Sequence, residues 1–460
     1  MLNFRQYANM TKAVVPNRVR VTNNDFSNRY KQMRKLISGD TPNSVTEMNY
    51  TYYGCSNLTG NPVCGDNVIN MVYAYGGGSS YSGIGSCYRL TGNPVCGINV
   101  INMSHAYSYC NNLTGNPVCG NNVTDMSYTY SGCTNLTGNP VCGNNVTDMN
   151  GTYSYCNNLT GNPVCGNNVT NMSYAYQNCY NLTGNPVCGD NVTNMGGTYS
   201  YCNNLTGNPV CGNNVTNMGG TYLNCTNLTG NPVCGLNVTD MSYAYMGCTN
   251  LTGSPVCGNN VTNMSSTYSY CTNLTGNPVC GDNVINMYRT YENCTNFTGK
   301  PVCGNNVTDM YWAYSNCTNL HGNMYMYSSH VSNVAGCFGG RNTSNMLNIY
   351  VLKDSRSFNT IINGTSYSNS ITKNRITWSN NGTCYYDTTE NIYIYPVDDV
   401  KQARLDNGDY TDTELEEALI DFTYTKDETT GIYEITGWKE TYKGQPSTEC
   451  ILPNSDKILI

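Results

Sequence analysis

Charge is what this chain lacks most: only 11% of its 460 residues are Asp, Glu, Lys or Arg. Three His, three Trp and six Phe complete the shortages. So few His leave little material for imidazole-based metal or catalytic sites, which need several convergent ligands or a His paired with a nucleophile. No C-x-x-C pair occurs, although that close spacing is the usual mark of a zinc site. No run approaches the 18 apolar residues of a membrane-spanning helix. The opening MLNFRQYANMTKAVVPNRVR contains no apolar core of signal-peptide length, so the expectation is folding in a reducing cytosol.

What is abundant is Tyr (41), Gly (46) and Cys (26), and their placement is strictly periodic. Residues Cys110 to Gly132 read CNNLTGNPVCGNNVTDMSYTYSG. From Cys96 to Cys303 the second Cys of this unit returns every 23 residues, and from Cys87 to Cys317 so does the first. A fixed period of this length marks a solenoid. The nine extra residues within Gly76–Ser86 sit at one rung boundary, where a stack of nearest-neighbour units tolerates an insertion.

A single 23-residue unit cannot bury enough apolar surface to offset the cost of ordering its backbone. Stacking solves this by aligning the same residues in each rung: Cys110, Leu113, Val118, Cys119, Val123, Met126 and Tyr130. Each buried Leu, Val or Met contributes roughly 1.5–3 kcal/mol. The expected architecture is a leucine-rich-repeat-like solenoid of about eleven rungs with short parallel strands, plus a small C-terminal α+β domain. Asn122–Met126 is the expected paired strand, and Ser127–Ser131 a turn or short helical crossing. Gly115 and Gly120 offer two positions where positive φ is cheap. Pro117, without an N–H, belongs at a bend or strand margin.

At these residues the unit resembles the repeat of BspA-like leucine-rich-repeat surface proteins of bacteria. Cys133-Thr-Asn-Leu136-Thr137, Pro140, Val146-Thr147 and Tyr153 match that family's rung in order. Asn168–Tyr176 is similar to related Met-bearing repeats of bacterial surface lipoproteins. The resemblance spans residues 41–337 and departs from the family in carrying Tyr for Phe and Asn-Pro for an Ile-x-Ile strand. It implies an adhesive or ligand-binding surface. With no leader in view, the expected setting is a phage virion, as a tail or capsid-decorating protein folded in the host cytosol. Display on a bacterial cell surface as an adhesin is the alternative, and a polysaccharide-degrading tail enzyme a second one.

The cysteines, twelve in the first column and eleven in the second, are read as free buried thiols filling a ladder. No cofactor or metal is expected. Twelve tyrosines from Tyr52 to Tyr314 occupy a core ladder. A less regular set, Tyr81, Tyr109, Tyr155, Tyr201 and Tyr270, is the candidate binding surface, because Tyr combines an apolar body with a polar tip. The Asn-x-Thr triplets in nearly every rung belong to the repeat consensus, and their Asn is expected to bond neighbouring backbone. The solenoid's carboxylates are scattered, whereas a glycosidase needs two on either side of one bond. The expectation is therefore a non-enzymatic recognition protein whose partner is a host or bacterial surface protein or glycan.

The flanks differ chemically. Residues 1–54 carry eight Lys/Arg against three Asp/Glu, residues 55–320 three against eight, and residues 375–460 seven against seventeen. Net +5 at the start is too little to make nucleic acid the expected partner. The expected division is a basic cap or anchor at 1–40, the solenoid at 41–345 and an acidic α+β domain at 346–460, with virion proteins meeting the flanks. Within the flanks, Asn24–Ile37 reads as a helix, Leu347–Leu352 as a closing strand, and Thr411–Leu419 as a helix opened by a capping box. Phe422–Tyr424 and Ile432–Ile435 read as a hairpin.

Overall fold

The computed structural model describes residues 45–56, 58–77, 86–363, 376–378, 383–387, 390–409, 422–426 and 433–438. The segment 1–40, the helices expected at 24–37 and 411–419, and Tyr81 lie outside the described residues. The chain divides into two compact units, Met1–Asp398 and Asp399–Ile460.

The first unit is built on a repeat solenoid. One parallel bridge per rung links Glu47, Asn70, Asn102, Asp125, Asp148 and their equivalents as far as Asn333. The strand expected over Asn122–Met126 shrinks to the residues around that bridge, where Thr124 N donates to Ile101 O at 2.8 Å and Met126 N to Asp148 O at 3.0 Å. Val123 turns its N–H back to Gly120 O of its own rung. The Asn122 amide donates instead to Ile98 O of the rung before, as expected for the triplet Asn.

Residues 127–132 form the turn expected there, and inter-rung pairing is densest along it. Met126, Tyr128, Tyr130 and Gly132 donate to the carbonyls of Asp148, Asn150, Thr152 and Ser154. The intervening Thr129, Ser131 and Cys133 donate three residues back, to Met126, Tyr128 and Tyr130. Alternate peptide planes thus stand along the stack and lie within the rung, so the N–H groups from Met126 to Cys133 find acceptors without a helix or a regular strand. The remaining N–H, that of Ser127, donates to Asp125 Oδ1 at 2.8 Å. Asp148, Asn171, Asn194 and Asp240 repeat this cap in their own rungs. The carboxylates at 125 and 148 are therefore half-buried structural acceptors, not solubilising decoration.

Leu113, Val123, Met126, Tyr130 and Cys110, with their equivalents, form the continuous core. Val118 and Cys119 are only half-buried, and Pro117 is buried in their place. The core tyrosines stack with ring centroids 5.4–5.7 Å apart from Tyr75 to Tyr291 and planes within 12° of parallel. Each ring also crosses the core to serve the Pro-Val segment: Tyr130 Oη donates to Val118 O at 2.7 Å and accepts from Val118 N at 3.0 Å. This explains Tyr where the resembling family has Phe, since the Pro-Val backbone has no strand partner in the adjacent rungs. Where a partner exists, Phe returns. Phe338 closes the ring stack on Tyr314, and Tyr325, at the Val118-equivalent position, lies in a strand paired with its neighbour.

Gly115 takes φ +84°, as expected. Gly120 does not adopt positive φ; it is small because a Cβ there would come within 3.0 Å of Cys96 Sγ. First-column thiols are buried and donate to the preceding rung's Tyr carbonyl, as Cys133 Sγ does to Tyr107 O at 3.0 Å. Every cysteine among the described residues is a free thiol.

Beyond the last turns, β1 (Gly322–Met326) and β2 (Leu347–Leu352) pair in parallel, followed by α1 (Arg356–Asn363). Then come β3 (Ile376–Trp378), β4 (Tyr385–Asp387) and β5 (Ile392–Val397). The sheet order is β1-β2-β5-β4-β3, parallel across β1, β2 and β5 and antiparallel beyond. Leu347, Ile349 and Val351 alternate inward. Arg341 is buried at this end, its guanidinium donating to the carbonyls of Leu320, Asn345, Glu390 and Asn391. The second unit contains α2 (Val400–Asp406), capped by the Asp399 carboxylate, and the hairpin of β6 (Phe422–Lys426) and β7 (Tyr433–Trp438).

Candidate binding face

The alternating peptide planes require two left-handed residues per rung, four positions apart. In the rung of Tyr107 they are His105 (φ 55°) and Tyr109 (φ 60°), and in the next Tyr128 (53°) and Gly132 (75°). Left-handed φ suits Gly and, less well, Asn, while a bulky residue there is held against its preference. Tyr nevertheless recurs. The described members of the candidate set, Tyr109, Tyr155, Tyr201 and Tyr270, all occupy the second left-handed position, at φ 60–63°. Neighbouring rungs fill that same position with Gly132, Asn178, Asn224 and Gly247.

The sequence reading missed the first left-handed position. There Tyr128, Tyr174 and Tyr243 alternate with Gly151, Gly197 and Gly220. The signal was present: units ending Ser-Tyr-Thr-Tyr or Ser-Tyr-Ala-Tyr alternate with units ending Gly-Thr-Tyr-Ser-Tyr. Together the two positions give one tyrosine per rung over seven successive rungs, Tyr50, Tyr73, Tyr109, Tyr128, Tyr155, Tyr174 and Tyr201, crossing from side to side from Tyr73 onward. The rung of Gly220 and Asn224 breaks the strip, which resumes at Tyr243 and Tyr270.

The pairing of Tyr with Gly has a steric basis. A Cβ on Gly132 would lie 2.4 Å from the Tyr109 ring, and one on Gly151 or Gly197 would meet Tyr128 or Tyr174 at 2.5 and 2.6 Å. Each of these three rings leans over the next rung's glycine. Even so the rings reach solvent: Tyr155, Tyr174, Tyr243 and Tyr270 are 43–47% exposed and Tyr201 38%, while Tyr109 and Tyr128 are half-buried. At one end of the strip the first-position residues Tyr50, Tyr73, His105 and Tyr128 stack on one another, with centroids 4.2–5.1 Å apart. Burial in that stack pushes the His105 pKa down, against a smaller opposing pull from Asp125. At the other end Arg289 lies over the Trp312 ring at 4.5 Å, with Glu292 at 3.6 Å.

Burial raises the pKa of Asp148, only partly offset by its hydrogen bonds to Asn150 and Asn171. The thiols are pushed the same way: burial lifts second-column Cys142 to about 11 and Cys165 to about 12 and raises first-column Cys110 and Cys156 well above the usual thiol range, so both columns stay protonated and unreactive near neutrality. Among the described residues no cluster of three or more His, Cys, Asp or Glu is placed to hold a metal ion. No helix among them is long and apolar enough to cross a membrane.

The family described as Mycoplasma protein of unknown function, DUF285, matches residues 101–210, 191–299 and 239–350, more than half of the chain. The chain belongs to this family. The DUF285 matches run through the solenoid, including the tyrosine strip from Tyr109 to Tyr270, and end within β2. A leucine-rich repeat protein from Bacteroides ovatus, known from its crystal structure, is similar with a TM-score of 0.47 and 16% identity over 71% of this chain and 81% of that one. The DUF285 assignment agrees with the resemblance to BspA-like repeat proteins. Comparison with curated proteins finds no match.

Proposed function

We propose that this DUF285 solenoid, of leucine-rich-repeat type, is a non-enzymatic recognition protein that attaches to a surface through its tyrosine strip. The observation that carries this reading is conformational. Tyr155, Tyr174 and Tyr201 hold left-handed φ at positions that the neighbouring rungs fill with Gly or Asn. The fold does not require Tyr there, and a bulky residue kept in an unfavourable backbone region points to a role outside folding. Exposed Tyr is also the residue type over-represented at binding hot spots.

The carboxylates of the strip's own rungs, Asp125 and Asp148, are engaged in capping backbone N–H groups, which supports binding over catalysis. Two settings follow from a recognition role: a phage tail or capsid-decorating protein, and a bacterial cell-surface adhesin. The match to DUF285 fits either setting.

The test uses the full-length protein and a Tyr155→Gly/Tyr201→Asn double variant, whose substitutions copy the residues of adjacent rungs. Binding to intact cells, read by flow cytometry, should fall about tenfold or more with the loss of two anchors, while the denaturation midpoint holds. Undiminished binding would refute the reading. Antibody labelling of intact producing cells against purified phage particles separates the two settings.

A further inference from the structure

Resting on the reading of the tyrosine strip as a binding face, we infer that its ligand is a neutral, extended β-1,4-linked glycan, held with one pyranose ring per rung. The first argument is register. Neighbouring rungs are about 4.8 Å apart where their backbones pair as strands, so residues two rungs apart are roughly 10 Å apart. That matches the repeat of an extended β-1,4-linked disaccharide, whose successive rings are flipped so that the same face returns every second sugar. Tyr109, Tyr155 and Tyr201 stand two rungs apart in the second left-handed position. Tyr128 and Tyr174 stand two rungs apart in the first, offset by one rung. An alternating polymer thus meets an alternating strip.

The second argument is the chemistry of the contact. A β-linked pyranose with equatorial substituents presents an apolar face of axial C–H groups. That face suits an aromatic ring lying along a surface. The Tyr109, Tyr128 and Tyr174 rings lie so, each leaning over a glycine of the next rung. Hydroxyls at the sugar edges need donors and acceptors, and half-buried Ser127 and Asn150 stand directly before the strip positions Tyr128 and Gly151.

Charge supplies the third argument. Residues 55–320 hold only Arg89, Arg289 and Lys300 as cations against eight carboxylates, and none of the three lies between Tyr109 and Tyr201. An anionic polymer such as nucleic acid or a sulfated glycan would find no counter-charge there, and a neutral one needs none. The break at Gly220 and Asn224 then sets a length. Six successive rungs carry tyrosine in alternation up to that break, from Tyr73 to Tyr201, so six sugars fill the main strip.

The experiment titrates the full-length protein with chitin and cellulose oligomers of two to seven sugars by isothermal calorimetry and ligand-observed NMR. Affinity for at least one series should climb with each sugar up to six and then level off. The hexamer should bind at least about tenfold more tightly than the dimer, the worth of one additional hot-spot contact. Tyr155→Gly and Tyr201→Asn should each weaken hexamer binding by about tenfold, whereas Tyr155→Phe, which keeps the ring and loses the hydroxyl, should bind within about twofold of wild type. Two results would overturn the inference: no binding of either series, or binding that survives Tyr155→Gly/Tyr201→Asn. The first result together with a loss of cell attachment in the double variant overturns the glycan and leaves the binding face standing. Unchanged cell attachment removes the binding face itself.

Discussion

The solenoid contains two sets of tyrosines, and they obey opposite rules. Inner residues such as Tyr130, Tyr153, Tyr176 and Tyr199 recur in every rung, are fully buried, and use the hydroxyl to close the rung onto the Pro-Val backbone. Outer residues such as Tyr155, Tyr174 and Tyr201 recur in alternate rungs, reach solvent, and occupy a backbone region that resists a side chain. The inner set is strictly periodic because every rung has the same hydrogen-bonding gap to fill. The outer set is free to vary because the main chain of the left-handed positions is satisfied whatever residue stands there. Identical chemistry therefore serves as structure in one place and as display in the other.

If the inner set is structural, Tyr199→Ala should show the largest loss. Removing a buried aromatic ring from the stack is expected to cost about 3–5 kcal/mol, read as a lower midpoint in urea denaturation. Tyr199→Phe isolates the hydroxyl. It leaves Val187 N and O without their partner and should cost about 1–3 kcal/mol. A Phe variant as stable as wild type would dissolve the distinction between this ladder and an ordinary aromatic core.

The thiols sharpen the same contrast on a different axis. Burial raises Cys142 and Cys165 to about 11 and 12, against about 8.5 for an unfolded thiol. Between those values the unfolded chain releases protons that the folded chain keeps. Stability is therefore fully present below about pH 8.5 and falls as pH rises toward the folded values. Because the columns repeat, the losses add, and urea midpoints measured at pH 7, 9 and 10 should decline ever more steeply. A flat profile would mean the thiols are not buried as a ladder.

Smaller effects belong to the turn. Asn194→Ala removes the acceptor for Gly196 N and should cost about 1 kcal/mol. Tyr155→Gly should cost least of all, within about 1 kcal/mol of wild type in either direction. Relief of the left-handed φ offsets both the lost ring contact and the greater freedom that glycine gives the unfolded chain. If Tyr155→Gly destabilises as much as Tyr199→Ala, the outer tyrosines are core residues and the comparison fails.

Much of this was legible in the residues. The 23-residue period alone implied stacking, since a unit that small cannot pay for its own order. The columns of Cys110, Leu113, Met126 and Tyr130 followed from asking which apolar residues recur. The expected strand at 122–126 holds the bridge of each rung but shrinks to it, and the dense pairing beyond it was not foreseen, for an equally physical reason. Val123 with flanking polar residues has the alternation of a strand, whereas the segment from Met126 to Cys133, rich in Ser and closed by Gly132, has the composition of a turn despite its alternating Tyr. Its pairing depends on left-handed residues that reverse alternate peptide planes, and non-glycine positive φ is not written in side-chain identity.

By itself, then, the sequence determined that the chain is a solenoid and which residues fill it, because periodic burial is a property of spacing. Only the tertiary structure decided that Tyr128, Tyr174 and Tyr243 join the outer set, why Gly120 must lack a side chain, and why Asp125 caps a turn. Those outcomes depend on what the adjacent rung places opposite each residue, and a neighbour 23 residues away becomes a contact only once the rungs are stacked.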